Sequence, residues 1–306
     1  MNIPMTSPLS GTKATNVQTP PLLYEMVRSF VTLSRTLNLS HAVTELNSTR
    51  QTVRRHIAQL EDMAGKPLFV IDDRRYQLTD AGQEALPEAE NILARCNVWA
   101  RGQVRHKDGM PLYATDFPNG GNFYQQQKPI NTIWTSDRPL HAAALKAWAM
   151  AEGELDSPAF KKIRPYMMIY RNSPNGWICV ELGEQSSYVS WFGLANARSS
   201  IGRVLGELPG GPDFGRLLNM PFHEVEQAQN ARVDHIYTQI VRGPDQKLEQ
   251  ICYARLLLGC RFPDGSFALV SIVDRHNGID IAGTPDVLMA PELVMDLDAI
   301  GLNEAH

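Results

Sequence analysis

The stretch STRQTVRRHIAQLE, residues 48–61, decides how the first third of this 306-residue chain is read. Three arginines, Arg50, Arg54 and Arg55, fall within six residues, and apolar Val53, Ile57 and Leu60 recur at i, i+4 and i+7. That spacing gives one helix face to a core and leaves the basic side chains on the other. Ser48 and Gln51 have the S-x-x-Q spacing of a capping box, with Thr49 as the alternative cap. Gly65 is placed to end the helix, and Pro67 to prevent its continuation. A basic face of this kind is either a solvated surface or a surface built for a phosphate backbone. Its neighbours decide between the two.

Upstream, Met26, Phe30 and Leu33 recur at helical spacing. A short second helix is expected from Ser40 to Leu46, with Ser40 as N-cap and Ala42, Val43 and Leu46 inward. Downstream, LFVIDDRRYQLT, residues 68–79, sets apolar residues around the turn-like Asp72 and Asp73 and reads as a hairpin. Thr79 and Asp80 open another helix. In it Ala85, Ala89, Ile92, Cys96 and Trp99 step by 4, 3, 4 and 3, a heptad-like seam suited to pairing with another helix. Pro87 falls inside that run, either in the first turn of a fresh helix or at a kink.

Helix, helix, turn, helix and hairpin is the plan of a winged helix-turn-helix. A helix fits the major groove, where base edges present distinguishable donors and acceptors. Thr49, Arg50, Gln51, Arg54 and Arg55 lie in the N-terminal part of the third helix, which reaches base edges in such domains. Lys66, Arg74 and Arg75 would flank the duplex and neutralise phosphates.

Residues 39–85 resemble the DNA-binding domain of LysR-type transcriptional regulators. The resemblance rests on Ala42 and Leu46, then Val53, Arg55, Ile57, Leu60 and Glu61, then Gly65, Leu68, Phe69, Arg74 and Arg75, and finally Leu78-Thr79-Asp80-Ala81-Gly82. It covers roughly residues 22–106. The family often has Ser-Gln-Pro-Ala-Val-Ser-Arg at the start of its reading helix, where this chain has Thr49-Arg50-Gln51-Thr52-Val53-Arg54-Arg55. Gln51 for proline and Arg54 for serine add charge and reach, so the operator cannot be carried over from the family. The resemblance implies that the helix after the wing pairs two subunits as a homodimer, placing two reading heads on two half-sites of double-stranded DNA. The competing reading is a protein-interaction or scaffold regulator that keeps a degenerate helix-turn-helix.

A formal net charge of -4 and a pI near 6.1 make the chain no polycation, so any DNA contact must come from a local patch. No apolar run is long enough to span a bilayer, and the first residues lack the apolar core of a secretory signal. Cys96, Cys179, Cys252 and Cys260 are scattered and form no CxxC pair, as expected of reduced thiols in a cytoplasmic protein.

The expected organisation is a tail at 1–20, a winged helix-turn-helix domain at 21–82, a linker and dimerisation helix at 83–106, an irregular linker at 107–139 and an α+β domain at 140–306. The linker reading follows from Gly109, Pro111, Pro118, Gly120, Gly121, Pro129 and the triplet Gln125–Gln127. The second half lacks the repeated βα units of a two-lobed LysR effector domain. Residues 213–242 read as helix, and 248–274 as two strands joined by Phe262-Pro263-Asp264-Gly265. Residues 166–280 resemble a PAS domain, with strands at 166–171 and 176–181, short helices, a longer helix near 222–241, and strands around 249–261 and 266–274. That resemblance implies a sensor for an unidentified small molecule, or a second dimer contact.

Chemistry has little support. His223 and His235 would sit on one helix about 18 Å apart, too far for one metal ion. Cys252 and Cys260 read as small buried apolar residues. Trp177, Tyr188, Trp191 and Phe192 read as core or as the lining of a ligand pocket. No phosphate loop or nucleophile elbow is present, so no catalytic residue, metal or cofactor is assigned and the chain is not read as an enzyme.

Overall fold

The computed structural model describes residues 20–72, 75–117, 120–173, 176–208, 211–242, 247–284 and 288–297. The chain divides into two units between Ala94 and Arg95, inside the helix expected to be the linker. Nearly all of the expected tail at 1–20 lies outside the described residues, as do Asp73 and Arg74.

In the first unit α1 (Leu23–Thr36), α2 (Leu39–Leu46) and α3 (Arg50–Ala64) close over Val27, Phe30, Leu33, Ala42, Leu46, Val53 and Ile57. The cap of α2 is Asn38 and not Ser40: its Oδ1 accepts from the backbone N–H of Ser40 at 2.9 Å and of His41 at 3.2 Å. An Asn with extended backbone two residues earlier outcompetes the serine. Of the two candidate caps for α3 it is Thr49 that acts, accepting from Thr52 N–H at 3.1 Å. Gly65 closes the helix at φ 66°.

The hairpin forms as expected from β1 (Phe69–Asp72) and β2 (Arg75–Leu78), with Phe69 opposite Leu78 and Asp72 opposite Arg75. Then α4 (Asp80–Ala100) runs through Pro87 as one helix. The motif Leu78-Thr79-Asp80-Ala81-Gly82 has a local explanation. Thr79 Oγ1 donates to the Pro67 carbonyl at 2.7 Å and accepts from Gly82 N–H at 3.0 Å, which joins the helix start to the entry of the wing. Gly82 lies so close that a Cβ there would sit 2.2 Å from the Leu68 carbonyl oxygen.

The second unit is built on an eight-stranded sheet in which every pair is antiparallel. Its first three strands, β3 (Val104–Lys107), β4 (Met110–Asp116) and β5 (Asn122–Lys128), occupy the segment expected to be an irregular linker. That expectation is corrected. Asp108 and Gly109, at φ 54° and 79°, form a two-residue turn between Lys107 and its partner Met110. Pairing of β4 with β5 begins at Leu112, one residue past Pro111. Gln125 and Gln126 are buried, and each hydrogen-bonds to a distant part of the unit.

After α5 (Thr132–Thr135) and α6 (Pro139–Met150) come β6 (Met167–Arg171) and β7 (Ile178–Leu182), close to the expected strands. Two short helices follow, α7 (Ser187–Phe192) and α8 (Leu194–Ser199), then α9 (Gly211–Ala228). The helix expected to reach residue 242 ends at Ala228, where Gln229 takes φ 49°, and the rest is β8 (Ala231–Arg242). The β-branched and aromatic run Val233, Ile236, Tyr237, Thr238 explains the switch. Finally β9 (Lys247–Arg261) and β10 (Phe267–Arg275) pair around the expected 262–265 turn.

The strand order is β3-β4-β5-β8-β9-β10-β6-β7. Side chains alternate between two cores, as a strand with both faces covered requires. Met167, Ile169, Leu256 and Leu258 face α6, whereas Met168, Tyr170, Leu257 and Leu269 join Leu218, Phe222 and Val225 of α9. The absence of a parallel βα arrangement agrees with the reading that the unit is not two-lobed α/β.

Candidate nucleic-acid interface

Burial of Val53 and Ile57 turns the opposite side of α3 outward, and Thr49, Arg50, Gln51, Arg54 and Arg55 are all exposed. Their direction is fixed from beneath. His56, third in the Arg54-Arg55-His56 run, is buried, and its Nδ1 lies 2.8 Å from Ser29 Oγ on α1. Burial, and then the Arg55 guanidinium beside it, hold this imidazole below the ordinary histidine pKa, so it sits neutral in the helix interface. Sequence reading assigned His56 no role; its three-residue step from Val53 was the available signal.

The far end of α3 is tied to the wing. Glu61 accepts from the backbone N–H of Leu68 at 2.8 Å and of Phe69 at 3.1 Å. Phe69 then stacks edge-on against Phe30 and Tyr76. Helix α3 and the hairpin are thereby joined by hydrogen bonds and ring contacts.

Between them opens a polar cleft of about 460 Å³ lined by Asn38, Ser40, Arg50, Arg54, Arg75 and Tyr76 among others. Arg50 Nη2 donates to Ser40 Oγ at 2.8 Å, so the serine expected to cap α2 instead orients an arginine. Arg54 and Arg75 make no ion pair among the described residues. Three of the expected contacts, Arg50, Arg54 and Arg75, therefore converge. Gln51 and Arg55 do not line the cleft. Lys66 lies 3.3 Å from Glu84, and both are exposed. Arg74 lies outside the described residues. Asn38, Ser40 and Tyr76, which also line the cleft, were not singled out from the sequence because a cap, a helix start and a hairpin position each had a sufficient structural reading. Exposed Ile71, on the wing, also lines the cleft.

Residues 24–83 match the family described as bacterial regulatory helix-turn-helix protein, lysR family. This segment is a LysR-family helix-turn-helix domain. The chain is similar to the HTH-type transcriptional regulator HdfR of Salmonella typhimurium, at 36% identity over 84 residues, 27% of this chain and 29% of that protein. It thus spans under a third of the length of the curated relatives it matches. Among solved structures, a LysR-family regulator from Eggerthella lenta is 44% identical over 22% of this chain and 93% of that one, with a TM-score of 0.20. The DNA complex of the CbnR DNA-binding domain is 24% identical over 26% of this chain and 94% of that one, with a TM-score of 0.24.

Beyond the exposed face of α3, the seam on α4 divides. Ala85 and Ala89 pack into the domain's own core. Ile92 is 40% exposed and Trp99 75% exposed, with Cys96 half-buried between them. In the second unit His223 lies on α9 and His235 on β8, so they do not share a helix. Among the described residues no cluster of histidine, cysteine and acidic side chains could hold a metal ion. Burial pushes the thiols of Cys179 and Cys252 up to about 11 and that of Cys260 to about 12, which keeps them protonated and unreactive. Trp177 is core, whereas Tyr188, Trp191 and Phe192 line a cavity. No helix among the described residues is long and apolar enough to cross a membrane.

Proposed function

We propose that this chain is a sequence-specific transcriptional regulator of LysR-like type, which binds operator DNA as a homodimer with α3 in the major groove. The observation that carries the reading is the convergence of exposed Arg50, Arg54 and Arg75 on one cleft of a LysR-family domain. A bare helix face would not place a wing arginine beside two from the helix. On this reading Thr49, Gln51 and Arg55 approach base edges, and Arg50, Arg54, Arg74, Arg75 and Lys66 meet phosphates or bases nearby. The exposed Ile92 and Trp99 of α4 bury against the same helix of a second copy, with Cys96 between them. Relatives named as transcriptional regulators, and a DNA complex among the similar solved structures, support this choice.

The second unit is a PAS-like sensor. Support comes from its element order: two strands, short helices, a longer helix and then long antiparallel strands, with an aromatic-lined cavity between helices and sheet. The protein works in the cytoplasm on this account, and it is a binder with no catalytic role. Selection of bound sequences from a random duplex library tests the central part. Enrichment of a two-fold-related motif supports it. A scaffold with a degenerate helix-turn-helix would enrich nothing.

A further inference from the structure

Arg255 stands in the middle of β9 at 2% exposure. Its Nη2 donates to Asp234 Oδ2 at 2.8 Å. The same carboxylate also accepts from Arg232, at 2.9 Å from Nε and 2.8 Å from Nη2, and from Gln125 Nε2 at 3.3 Å. Burial would raise the Asp234 carboxyl, but the two guanidiniums outweigh it and hold the group below the usual carboxylate range. Arg232 has a further acid, Glu224. Arg255 has none. Its Nε and Nη1, which carry three N–H bonds between them, are buried without a hydrogen-bond partner among the described residues.

Leaving charged donors unmet in an interior is expensive unless something arrives to meet them. The cavity that Arg255 lines shows what can. It holds about 100 Å³ and is walled by Met168, Leu205, Leu218 and Phe222 on one side and by Trp191 and Phe192 of α7 on another. Burial keeps the Tyr253 phenol, also in the lining, protonated at neutral pH by raising it to about 12. The site offers hydrogen-bond donors and apolar surface, and one cationic group. A phosphate would need more donors, and a cation would be repelled. An apolar cavity of about 150 Å³ is known to take benzene, so the occupant here is of that size or smaller. The wall formed by α7 is held in place: Arg275 Nη1 donates to the Ser187 carbonyl at 2.7 Å and its Nη2 to Ser190 Oγ at 2.9 Å.

We propose that this cavity binds a small organic monocarboxylate, its carboxylate held by Nε and Nη1 of Arg255 and its hydrocarbon body packed against Leu218, Phe222 and Trp191. The proposal rests on the sensor reading of the second unit and names the chemical class sensed.

Calorimetric titration of the full chain with acetate, propionate, butyrate and isobutyrate, beside their neutral alcohols or amides, tests it. At least one acid binds at least tenfold more tightly than its neutral counterpart. Arg255→Met removes that preference. Leu218→Trp, which fills the cavity and leaves the Arg232–Asp234–Arg255 network intact, abolishes binding of acid and neutral compound alike. Three results overturn the proposal: no acid bound at 10 mM, neutral compounds bound equally well, or acid binding unaltered in a correctly folded Leu218→Trp protein. DNA binding measured on the same samples separates the two readings. If it persists while no acid binds, only the ligand assignment falls. If acids bind but no DNA sequence is preferred, the regulator reading fails instead.

Discussion

At the scale of single residues, the exposed face of α3 owes its direction to side chains that never leave the domain. His56, through Ser29, fixes the middle of the helix and Glu61 its C-terminal part. Removing an exposed arginine should therefore subtract a contact without disturbing the fold. Arg55→Ala is expected to weaken specific DNA binding by about 1–3 kcal/mol, read by fluorescence anisotropy, with circular dichroism unchanged. Unaltered affinity and salt dependence in that variant would remove Arg55 from the interface. Glu61→Ala acts on the scaffold instead. It leaves the amides of Leu68 and Phe69 unmet and should cost roughly 1–3 kcal/mol of stability in urea denaturation. Gly82→Ala should be worse still, since its methyl would collide with a backbone oxygen that cannot swing away.

Among the elements, α4 carries two duties along one seam. Its first turns close the core of the LysR-family domain through Ala85 and Ala89, and its later turns expose Ile92 and Trp99. Heptad spacing alone could not divide these roles, because small and large apolar residues score alike in a pattern. On the proposed pairing through α4, Trp99→Ala together with Ile92→Ser is expected to shift dimer toward monomer by at least tenfold in sedimentation equilibrium. A dimer of unchanged affinity would place the subunit contact elsewhere. Legibility differed in the same way across the chain. The wing and α3 were readable because apolar period, cap, glycine stop and hairpin all agreed within forty or so residues. The strands β3 to β5 were hidden by Pro111 and the glutamine triplet, although Asp108-Gly109 is a strong two-residue hairpin signal. The end of α9 was hidden because nothing local separates the helix from the strand: charged Arg232 and Asp234 interrupt the apolar run. Only the sheet pairing of distant segments reveals that they neutralise each other inside.

For the molecule as a whole, the buried histidines make acid a general destabiliser. Burial holds His141 and His235 down at about 4, against an ordinary 6.5, and His56 is lowered as well. Their neutral forms belong to the folded state. The stability they confer is complete above pH 6.5 and is lost progressively as pH falls from there toward 4. For fully buried His141, whose Nε2 lies 3.1 Å from the Ile272 carbonyl oxygen, the loss is on the order of 3 kcal/mol. Urea midpoints measured between pH 7 and pH 4.5 should fall, and fall less in His141→Gln. The central claim, that this chain reads DNA sequence through α3, is tested most directly by mapping the sites it occupies across the genome, with the wild-type chain and with Arg54→Ala/Arg55→Ala. The account predicts discrete sites sharing a two-fold-related motif, lost in the double variant while the protein stays folded and abundant. An unchanged occupancy map in that variant would contradict it.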